Sequence, residues 1–360
     1  LIMMMKNKKK SCNQTLLIAL MFFMLLSNNI YSQKHSFKVI TIAMFETGEM
    51  TGDEAGEAQL WYERDSLFLE MKIPGAYSPL YYNKKGQGLI ITGMGVSNAA
   101  STIMALGLNP NIDLKNTYFI IAGIAGTSPK VCTIGSAVWS KWVVSTDLCH
   151  VIDAREIPEH WEYSRFRIGC NEPWCDNSWY SGSEVFRLDS TLTQIAYKLT
   201  KNVELSDTDE AQDIRNRFPE NFQASQKPFV TIGDNIAGNT FFYGKITSDW
   251  ADWWIKKWTK GKGTYYITNM EDSGTLTAFK RLADANIISF NRIMVLRTTA
   301  DFDQQYPGKT TIESIHDIWL GFPLAIENAY RVGSIVAREI INNWEIWETN
   351  IPLSMNKNNL

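Results

Sequence analysis

The chain has 360 residues, of which 45% are hydrophobic, and its formal net charge is −3 at pH 7. This length is enough for one large α/β domain or two smaller ones with an ample core. The near-neutral balance, without a long basic run beyond the N-terminus, argues against a nucleic-acid partner bound through its phosphates. A small-molecule ligand fits the composition better.

The first residues have the features of a targeting segment. Lysines precede an apolar core at residues 16–26, and a polar stretch with small residues follows it. We expect a signal peptide over residues 1–32, a single domain over residues 33–350 and a tail over residues 351–360. The protein is then expected to be exported, periplasmic or secreted, with a retained membrane anchor as the alternative.

Four cysteines remain beyond this segment, an even number in a compartment that permits disulfides. Cys170 and Cys175 could close a small loop, whereas Cys132 and Cys149 have no evident partner. A metal site is disfavoured, because the four histidines do not form a ligand-spaced cluster with the cysteines. We expect neither a metal nor a cofactor.

Residues 37–45 form an apolar run that predicts the first strand of the domain. The acidic, glycine-rich stretch that follows, residues 46–57, is either a solvated loop or a source of one carboxylate for a site at the strand's end. Residues 89–106 then indicate a strand, a tight Gly-x-Gly loop and a helix. Such a junction directs backbone N–H groups at an anionic or polyhydroxyl ligand, but it also suits close packing of a helix on a sheet.

A second apolar strand that ends in paired glycines is predicted at residues 118–127. Two such strands, separated by a helix-length segment, are typical of βαβ units in a largely parallel sheet, whose ligands gather at the carboxyl ends of the strands. Residues 135–145 predict a further strand, and residues 147–161 a polar, salt-bridged loop. Residues 183–199 have the spacing of an amphipathic helix.

The second half of the chain alternates polar and apolar segments. Residues 202–227 are read as an irregular surface insertion, and residues 229–236 as a strand followed by a polar turn. Tryptophans at helical spacing in residues 250–258 favour a helix packed on the core over a stacking platform. A long helix is predicted over residues 323–342.

Acidic residues follow two apolar, β-rich runs, at residues 265–276 and 294–301. A carboxylate at the end of a buried strand costs desolvation, which raises the chance that it has a functional role. For Asp272 or Ser273, capping of the following helix is the competing explanation.

Several of these segments together resemble the purine nucleoside permease family, in the same order along nearly the whole domain. The matching segments are Met44-Phe45, residues 92–100, residues 122–126 with Pro129-Lys130-Val131, residues 150–156, residues 269–276, and Phe322-Pro323 with residues 327–333. That family is similar in turn to the nucleoside phosphorylase and nucleosidase superfamily. The resemblance implies a three-layer α/β/α sandwich with a mixed, partly barrel-like central sheet, and a purine nucleoside site.

The resemblance also implies roles for individual residues. Glu271 corresponds to the acid that holds the ribose hydroxyls, with Met270 under the sugar, and Asp301 to the acid that meets N7 of the purine. The other implied contacts are Gly93, Met94 and Gly95 in a wall facing the ribose, Gly123 in the second glycine-rich segment, and Gly233, Asp234 and Asn235 along the base.

The sequence departs from the phosphorylase pattern where phosphate would bind. Ile121 and Ile124 replace an arginine and a serine, so phosphate would lack its charge-assisted hydrogen bonds and phosphorolysis is disfavoured. In nucleosidases an acid after the first strand activates water, and Glu46 and Glu49 lie near that place.

Two functions remain open at this point. The first is capture of purine nucleosides for a separate membrane transporter, because a carrier needs a lipid-spanning path of its own. The second is hydrolysis by a secreted nucleosidase, with Asp301 as the acid, Glu271 on the ribose and water activated by Glu46 or Glu49. A homo-oligomer is expected by analogy with the superfamily.

Overall fold

A computed structural model describes residues 34–315 and 321–352 of the protein. The predicted signal peptide and residues 353–360 of the predicted tail lie outside the described residues. Within the two described ranges, no helix is both long and apolar enough to span a bilayer.

Fourteen strands make up the β-structure of the described residues. In chain order they are β1 (His35–Ser36), β2 (Val39–Ala43), β3 (Leu69–Met71), β4 (Leu80–Tyr82), β5 (Gln87–Ile91), β6 (Ile112–Asp113), β7 (Tyr118–Thr127), β8 (Ala137–Ser145), β9 (Cys149–Val151), β10 (Arg165–Arg167), β11 (Val185–Arg187), β12 (Val230–Ala237), β13 (Tyr265–Asn269) and β14 (Ile293–Phe302).

Ten of these strands form one mixed sheet that curls into a barrel. The order of nine strands is β11-β8-β12-β13-β7-β2-β5-β4-β3, and β14 pairs with both β7 and β8. The strands β8, β12, β13, β7 and β14 therefore close a five-stranded barrel, from which β2 and β5 extend in parallel. This arrangement confirms the predicted mixed, partly barrel-like sheet.

The described helices cover the sheet on two sides. They are α1 (Gln59–Arg64), α2 (Val96–Gly107), α3 (Ser190–Thr200), α4 (Asp209–Arg215), α5 (Lys245–Thr259), α6 (Asp272–Asp284), α7 (Thr311–Ser314), α8 (Phe322–Asn342) and α9 (Trp344–Trp347). Helices α2 and α6 pack on one face of β2, β5 and β7, and α1, α3 and α8 pack on the other. The predicted three-layer α/β/α sandwich is thereby confirmed.

Alternation along the central strands builds the two cores. In β2, Ile40 and Ile42 contact the side of α2 and α6, whereas Val39 and Ala43 contact the side of α8. Successive side chains of a strand point to opposite faces, so a continuous apolar run fills both layers. The run at residues 37–45 was therefore readable as a doubly buried strand.

Two sequence predictions need correction in the middle of the chain. The predicted helix at residues 183–199 begins later, because Val185–Arg187 pairs as β11 against β8 and Asp189 caps α3 through Leu192 N–H. The insertion at residues 202–227 contains α4, whose Ala211 and Ile214 pack in a small core with Phe302. Helix α5 buries Trp250 and Trp254, which confirms the packing role of the tryptophans.

The polar turn predicted at the end of residues 229–236 is also wrong, because Asp234 and Asn235 lie within β12. The strand has a register shift between these residues, where ladder pairing is interrupted. The Asp234 carboxylate accepts hydrogen bonds from Trp142 N–H at 2.9 Å and Thr264 N–H at 2.9 Å, which satisfies the strands on both sides.

A second irregularity occurs in β14, near its end. Thr299 pairs with Ala125 of β7 and Asp301 pairs with Gly126, so Ala300 is an extra residue in the ladder. This β-bulge sets the direction in which the Asp301 side chain points.

The two cysteines of the 170–175 loop form a disulfide, with Cα atoms 5.7 Å apart. Cys132 is a buried free thiol and Cys149 a half-buried one.

Candidate functional site

A cavity of about 500 Å³ lies where the chain leaves β2, β7, β12, β13 and β14. Its wall is mostly apolar, with charged side chains at a few points, as expected of a small-molecule site. The lining residues are Met44, Phe45, Thr47, Glu54, Glu57, Met94, Ile124, Ala125, Gly126, Thr240, Phe241, Phe242, Thr268, Asn269, Met270, Glu271, Arg297, Ala300, Asp301, Asp303, Phe322 and Pro323.

The Gly93-Met94-Gly95 loop forms one side of the cavity mouth. Both glycines have positive φ angles, of 78° and 88°, which a residue with a Cβ rarely adopts. Met94 lines the cavity with 61% of its surface exposed, whereas Gly93 packs against Tyr77. The predicted wall is thus formed by the Met94 side chain, and the backbone conformation of its loop depends on the two glycines with positive φ angles.

Glu271 lies across from this loop, at the N-terminus of α6, and is 5% exposed. Its Oε1 accepts from Gly95 N–H at 3.2 Å, and its Oε2 accepts from Arg297 Nη2 at 3.3 Å. Burial raises the pKa of Glu271, and the Arg297 guanidinium partly offsets this. Glu271 and Met270 both line the cavity, where the resemblance expects the ribose.

Arg297 is the centre of a buried polar cluster that sequence reasoning missed. It is 1% exposed, donates to both carboxylate oxygens of Asp272, and donates to Asn269 Oδ1 at 3.2 Å and Ile124 O at 3.0 Å. Burial lowers its pKa, but Asp272 and Glu271 raise it above the ordinary value. An arginine inside the apolar run at residues 293–302 was the available signal.

Asp272 does not serve as the helix cap that the sequence suggested. The N-cap of α6 is Glu271, which makes no side-chain capping bond. Asp272 instead binds Arg297 and Asn235, with Asn235 Nδ2 donating at 2.5 Å. Its position is therefore set by the buried ion pair.

Glu57 belongs to the acidic stretch from which one carboxylate was expected to enter the site, although the sequence did not single it out. It is 5% exposed and accepts from Met44 N–H and Ile124 N–H, each at 2.7 Å. Burial raises its pKa to about 7, with Arg297 opposing and Glu271 adding to the shift. A carboxyl group in this state can exchange a proton near neutral pH.

Glu46 and Glu49, the acids predicted for water activation, do not line the cavity. The Glu46 carboxylate accepts backbone N–H groups of Gly56, Ala58 and Gln59, and so anchors the start of α1. Glu49 is exposed on the loop. Of the acids in residues 46–57, the structure brings Glu57 deepest into the site, and Glu54 also reaches the wall.

Asp301 lines the cavity near the end of β14, where it pairs with Gly126 of β7. Burial and, to a smaller extent, the nearby Asp303 carboxyl raise its pKa to about 8. Asp303 is 1% exposed and accepts from Tyr265 Oη at 2.7 Å. At neutral pH the Asp301 carboxyl is therefore largely protonated and can donate a hydrogen bond into the cavity.

Gly123 lies behind the Arg297 and Glu57 side chains. A Cβ on this residue would come within 2.6 Å of both Arg297 Nη1 and Glu57 Oε1. The glycine thus allows the two charged groups to approach the strand, which places it at the site although it does not line the cavity.

Gly233, Asp234 and Asn235, predicted along the base, do not line the cavity. A Cβ on Gly233 would meet the Tyr266 ring at 2.3 Å, Asp234 holds the bulge, and Asn235 binds Asp272. The segment after β12 supplies the wall instead, through Thr240, Phe241 and Phe242. The resemblance therefore placed this part of the wall too early in the chain, within β12 rather than in the loop that follows it.

The positions of the missing phosphate ligands are apolar, as the sequence indicated. Ile121 is fully buried in the core, and Ile124 lines the cavity. Arg297 supplies a guanidinium nearby, but its donors are already bound to Asp272, Glu271 and backbone oxygen.

A sequence model of the family described as purine nucleoside permease (NUP) matches residues 36–352. A probable purine nucleoside permease of Schizosaccharomyces pombe is 31% identical over 265 residues, which are 71% of this chain and 76% of that protein. The purine nucleoside permease of Candida albicans is 30% identical over 260 residues. The alignment covers 71% of this chain and 64% of the Candida protein.

Among solved structures, a 5′-methylthioadenosine/S-adenosylhomocysteine nucleosidase from Helicobacter pylori aligns with a TM-score of 0.50 at 13% identity. The alignment covers 85% of this chain and 100% of that one. At this identity the similarity shows the fold alone.

Proposed function

Since the chain belongs to the purine nucleoside permease family, we propose that it binds purine nucleosides in the cavity and supports their uptake by capture. The observation that carries the proposal is the placement of Glu271. Its carboxylate faces the cavity and is oriented by Gly95 N–H and Arg297, so it can accept hydrogen bonds from a ribose diol.

The two ends of the cavity fit the two parts of a nucleoside. Asp301, with its raised pKa, offers a donor for a purine ring nitrogen, while Glu271 offers acceptors for hydroxyl groups. Phe241 and Phe242 supply apolar surface for the flat base. A ligand that lacks either polar part would leave a buried group unpaired, which gives the site specificity.

We also propose that capture takes place outside the cytoplasm and serves a separate membrane transporter. The support is the composition of residues 1–32, with lysines before a short apolar core and a polar exit. Detection of the processed N-terminus of the protein in a cell-envelope or culture fraction would test this location.

Hydrolysis of the nucleoside is the second candidate, and the placement of Glu57 is the observation that favours it. Glu57 lies near Arg297 and Glu271 with a pKa of about 7, as a group that accepts a proton from water requires. Asp301 would protonate the leaving base. Phosphorolysis is disfavoured because Ile121 and Ile124 offer phosphate no charged donor.

One experiment separates these functions. Purified protein is incubated with inosine, adenosine and guanosine, with and without phosphate, while binding is measured by calorimetry and products by chromatography. Binding without product supports capture, and free base without phosphate supports hydrolysis. Formation of ribose 1-phosphate would contradict the argument from Ile121 and Ile124. Absence of both binding and product would refute the nucleoside site.

A further inference from the structure

We propose that Asn239 is a positioning residue for the ribose-binding carboxylate: it joins the loop after β12 to the loop after β5 and so fixes the Gly95 N–H that orients Glu271. This inference rests on the proposed nucleoside site and names a residue outside the cavity wall that determines its preference for ribonucleosides.

The connection across the cavity mouth consists of two consecutive backbone groups. Gly95 N–H donates to Glu271 Oε1 at 3.2 Å, and the next amide, Val96 N–H, donates to Asn239 Oδ1 at 2.9 Å. Each peptide group is planar, and these two groups meet at the α-carbon of Gly95, so the bond to Asn239 fixes the peptide plane on one side of the residue whose N–H binds Glu271. Asn239 thus restrains the donor on which the Glu271 geometry depends.

Asn239 is itself held in place by Asp147, in the segment after β8. The Asp147 Oδ1 accepts from Asn239 backbone N–H at 2.9 Å, and its Oδ2 is 3.5 Å from Asn239 Nδ2. Asn239 thus donates to Asp147 through both its backbone N–H and its side-chain amide. These two bonds fix the rotamer in which Oδ1 of Asn239 points at Val96 N–H. Segments that follow β5, β8, β12 and β13 are therefore linked in one chain of hydrogen bonds.

Two glycines provide the space for this chain of bonds. A Cβ on Gly95 would be 3.1 Å from Asn239 Oδ1, and a Cβ on Gly238 would be 2.7 Å from Asp147 Oδ1. Gly238 N–H also donates to Asn269 O at 3.1 Å, which ties the same loop to the end of β13. Side chains at these positions would push Asn239 or Asp147 away, so the local sequence is fitted to the contact.

The linkage also joins the two sides of the mouth. Met94 precedes Gly95 on one loop, and Phe241 follows Asn239 on the other, and both line the cavity while more than half exposed. Loss of the Asn239 side chain frees the Met94 loop from the Phe241 loop. The ribose end of the site is then affected, whereas the Asp301 end is not in contact with this linkage.

The test compares ligands that do and do not carry the ribose diol. In N239A, the dissociation constant for inosine should rise about three- to tenfold, the usual range for loss of one restraining hydrogen bond. The constants for hypoxanthine and for 2′,3′-dideoxyinosine should stay within twofold of wild type. Ser101 is exposed on α2, the helix that begins at Val96, and its hydroxyl donates to Asn98 O within that helix, so S101A is the matched control.

Exchange of the acid and the amide between positions 147 and 239 tests the hydrogen-bonded linkage rather than the stability of the loop. N239D should weaken inosine binding, because its carboxylate faces Asp147. N239D/D147N restores one acceptor towards Val96 N–H and one amide beside it, and should recover most of the affinity for inosine. Failure of the double variant to improve on N239D would overturn the proposed linkage.

Hydrogen exchange gives a readout that needs no ligand. In the free protein, N239A should speed amide exchange at residues 95–96, with exchange in β14 unchanged. Unchanged amide exchange at residues 95–96, or an equal loss of affinity for inosine, hypoxanthine and 2′,3′-dideoxyinosine, would refute the role of Asn239. If wild-type protein binds no nucleoside, the proposed function fails, while the exchange result still decides whether the linkage exists.

Discussion

Glu271 and Arg297 form a buried ion pair in which Nη2 of the arginine lies 3.3 Å from Oε2 of the glutamate. The side chains are 7% and 1% exposed, so water does little to stabilise either charge. The pair leaves Oε1 of Glu271 on the side of Gly95, toward the cavity mouth. The negative charge of Glu271, which is needed for ligand binding, is therefore stabilised by the positive charge of Arg297 in the same buried cluster.

Loss of the arginine should destabilise the fold. In R297M, Asp272 and Glu271 stay buried without their counter-ion, and the free energy of unfolding at pH 7 should fall by about 3–5 kcal/mol. Urea denaturation measures the change. The deficit should shrink at lower pH, because burial raises the pKa of Glu271 and its protonation removes one of the two uncompensated charges. R155M removes an exposed pair with Asp153 and should unfold like wild type; equal losses in both variants would contradict the argument.

Neutralising Glu271 should act on the ribose rather than on the base. E271Q keeps the shape but loses a charged acceptor, so the dissociation constant for inosine should rise about 10- to 100-fold. That for hypoxanthine should change less than about twofold. Calorimetry measures both constants, with E49Q, on the exposed loop, as the control. Equal losses for nucleoside and base would remove Glu271 from the ribose role.

Binding should weaken in alkaline solution because of Asp301. Its pKa is raised to about 8, so the protonated form that donates to the base is lost as pH rises through that value. The dissociation constant for inosine is expected to rise between pH 7 and pH 9. D301N donates at every pH and should give a flat profile over this range; a slope equal to that of wild type would assign the effect to another group.

The same shift has a consequence for stability. The unfolded chain releases the proton of this carboxyl at about pH 4, whereas the folded protein, in which the pKa of Asp301 is raised, holds it up to about pH 8. The contribution of this group is fully present at low pH and is lost as pH rises through about 8. D301N should therefore show a smaller loss of unfolding free energy from pH 6 to pH 9 than wild type.

A methyl group at Gly123 should disable the site. In G123A the new Cβ would lie 2.6 Å from Arg297 Nη1 and Glu57 Oε1, and overpacking of this kind costs about 1–3 kcal/mol. Inosine binding should fall below detection, because both charged groups must move. In G126A the nearest contact is 3.2 Å, to Thr268 Cγ2, so the effect should be smaller. A milder effect in G123A than in G126A would contradict this account.

The elements of the fold were readable where local pattern and tertiary role agree. Strands β2 and β7 are largely apolar runs, β14 begins with the apolar residues 293–296, and the glycines of the 92–95 loop mark the turn into α2. The stretch containing Asp234 reads as a turn by composition. It lies inside β12 because backbone N–H groups from two neighbouring strands bind its carboxylate, a contact that no local pattern encodes.

The candidate site was predicted in part. Glu271, Met270, Met94 and Asp301 were all placed at the cavity by the family resemblance. Glu57 was not singled out among the acids of residues 46–57 because the loop turns back between Glu46 and Glu57, which brings the later acid to Met44 N–H. Arg297 was missed because its two acidic partners, Glu271 and Asp272, are distant in sequence and meet it only through the closed barrel.

The extra residue at Ala300 lets two consecutive side chains of β14 reach the same cavity. Thr299 pairs with Ala125 of β7 and Asp301 with Gly126, so deletion of Ala300 would keep both pairs and leave Asp301 on its present face of the sheet. In a regular strand consecutive side chains point to opposite faces, whereas here Ala300 and Asp301 both line the cavity. The length of the chain at this point therefore sets how much of the cavity wall β14 supplies.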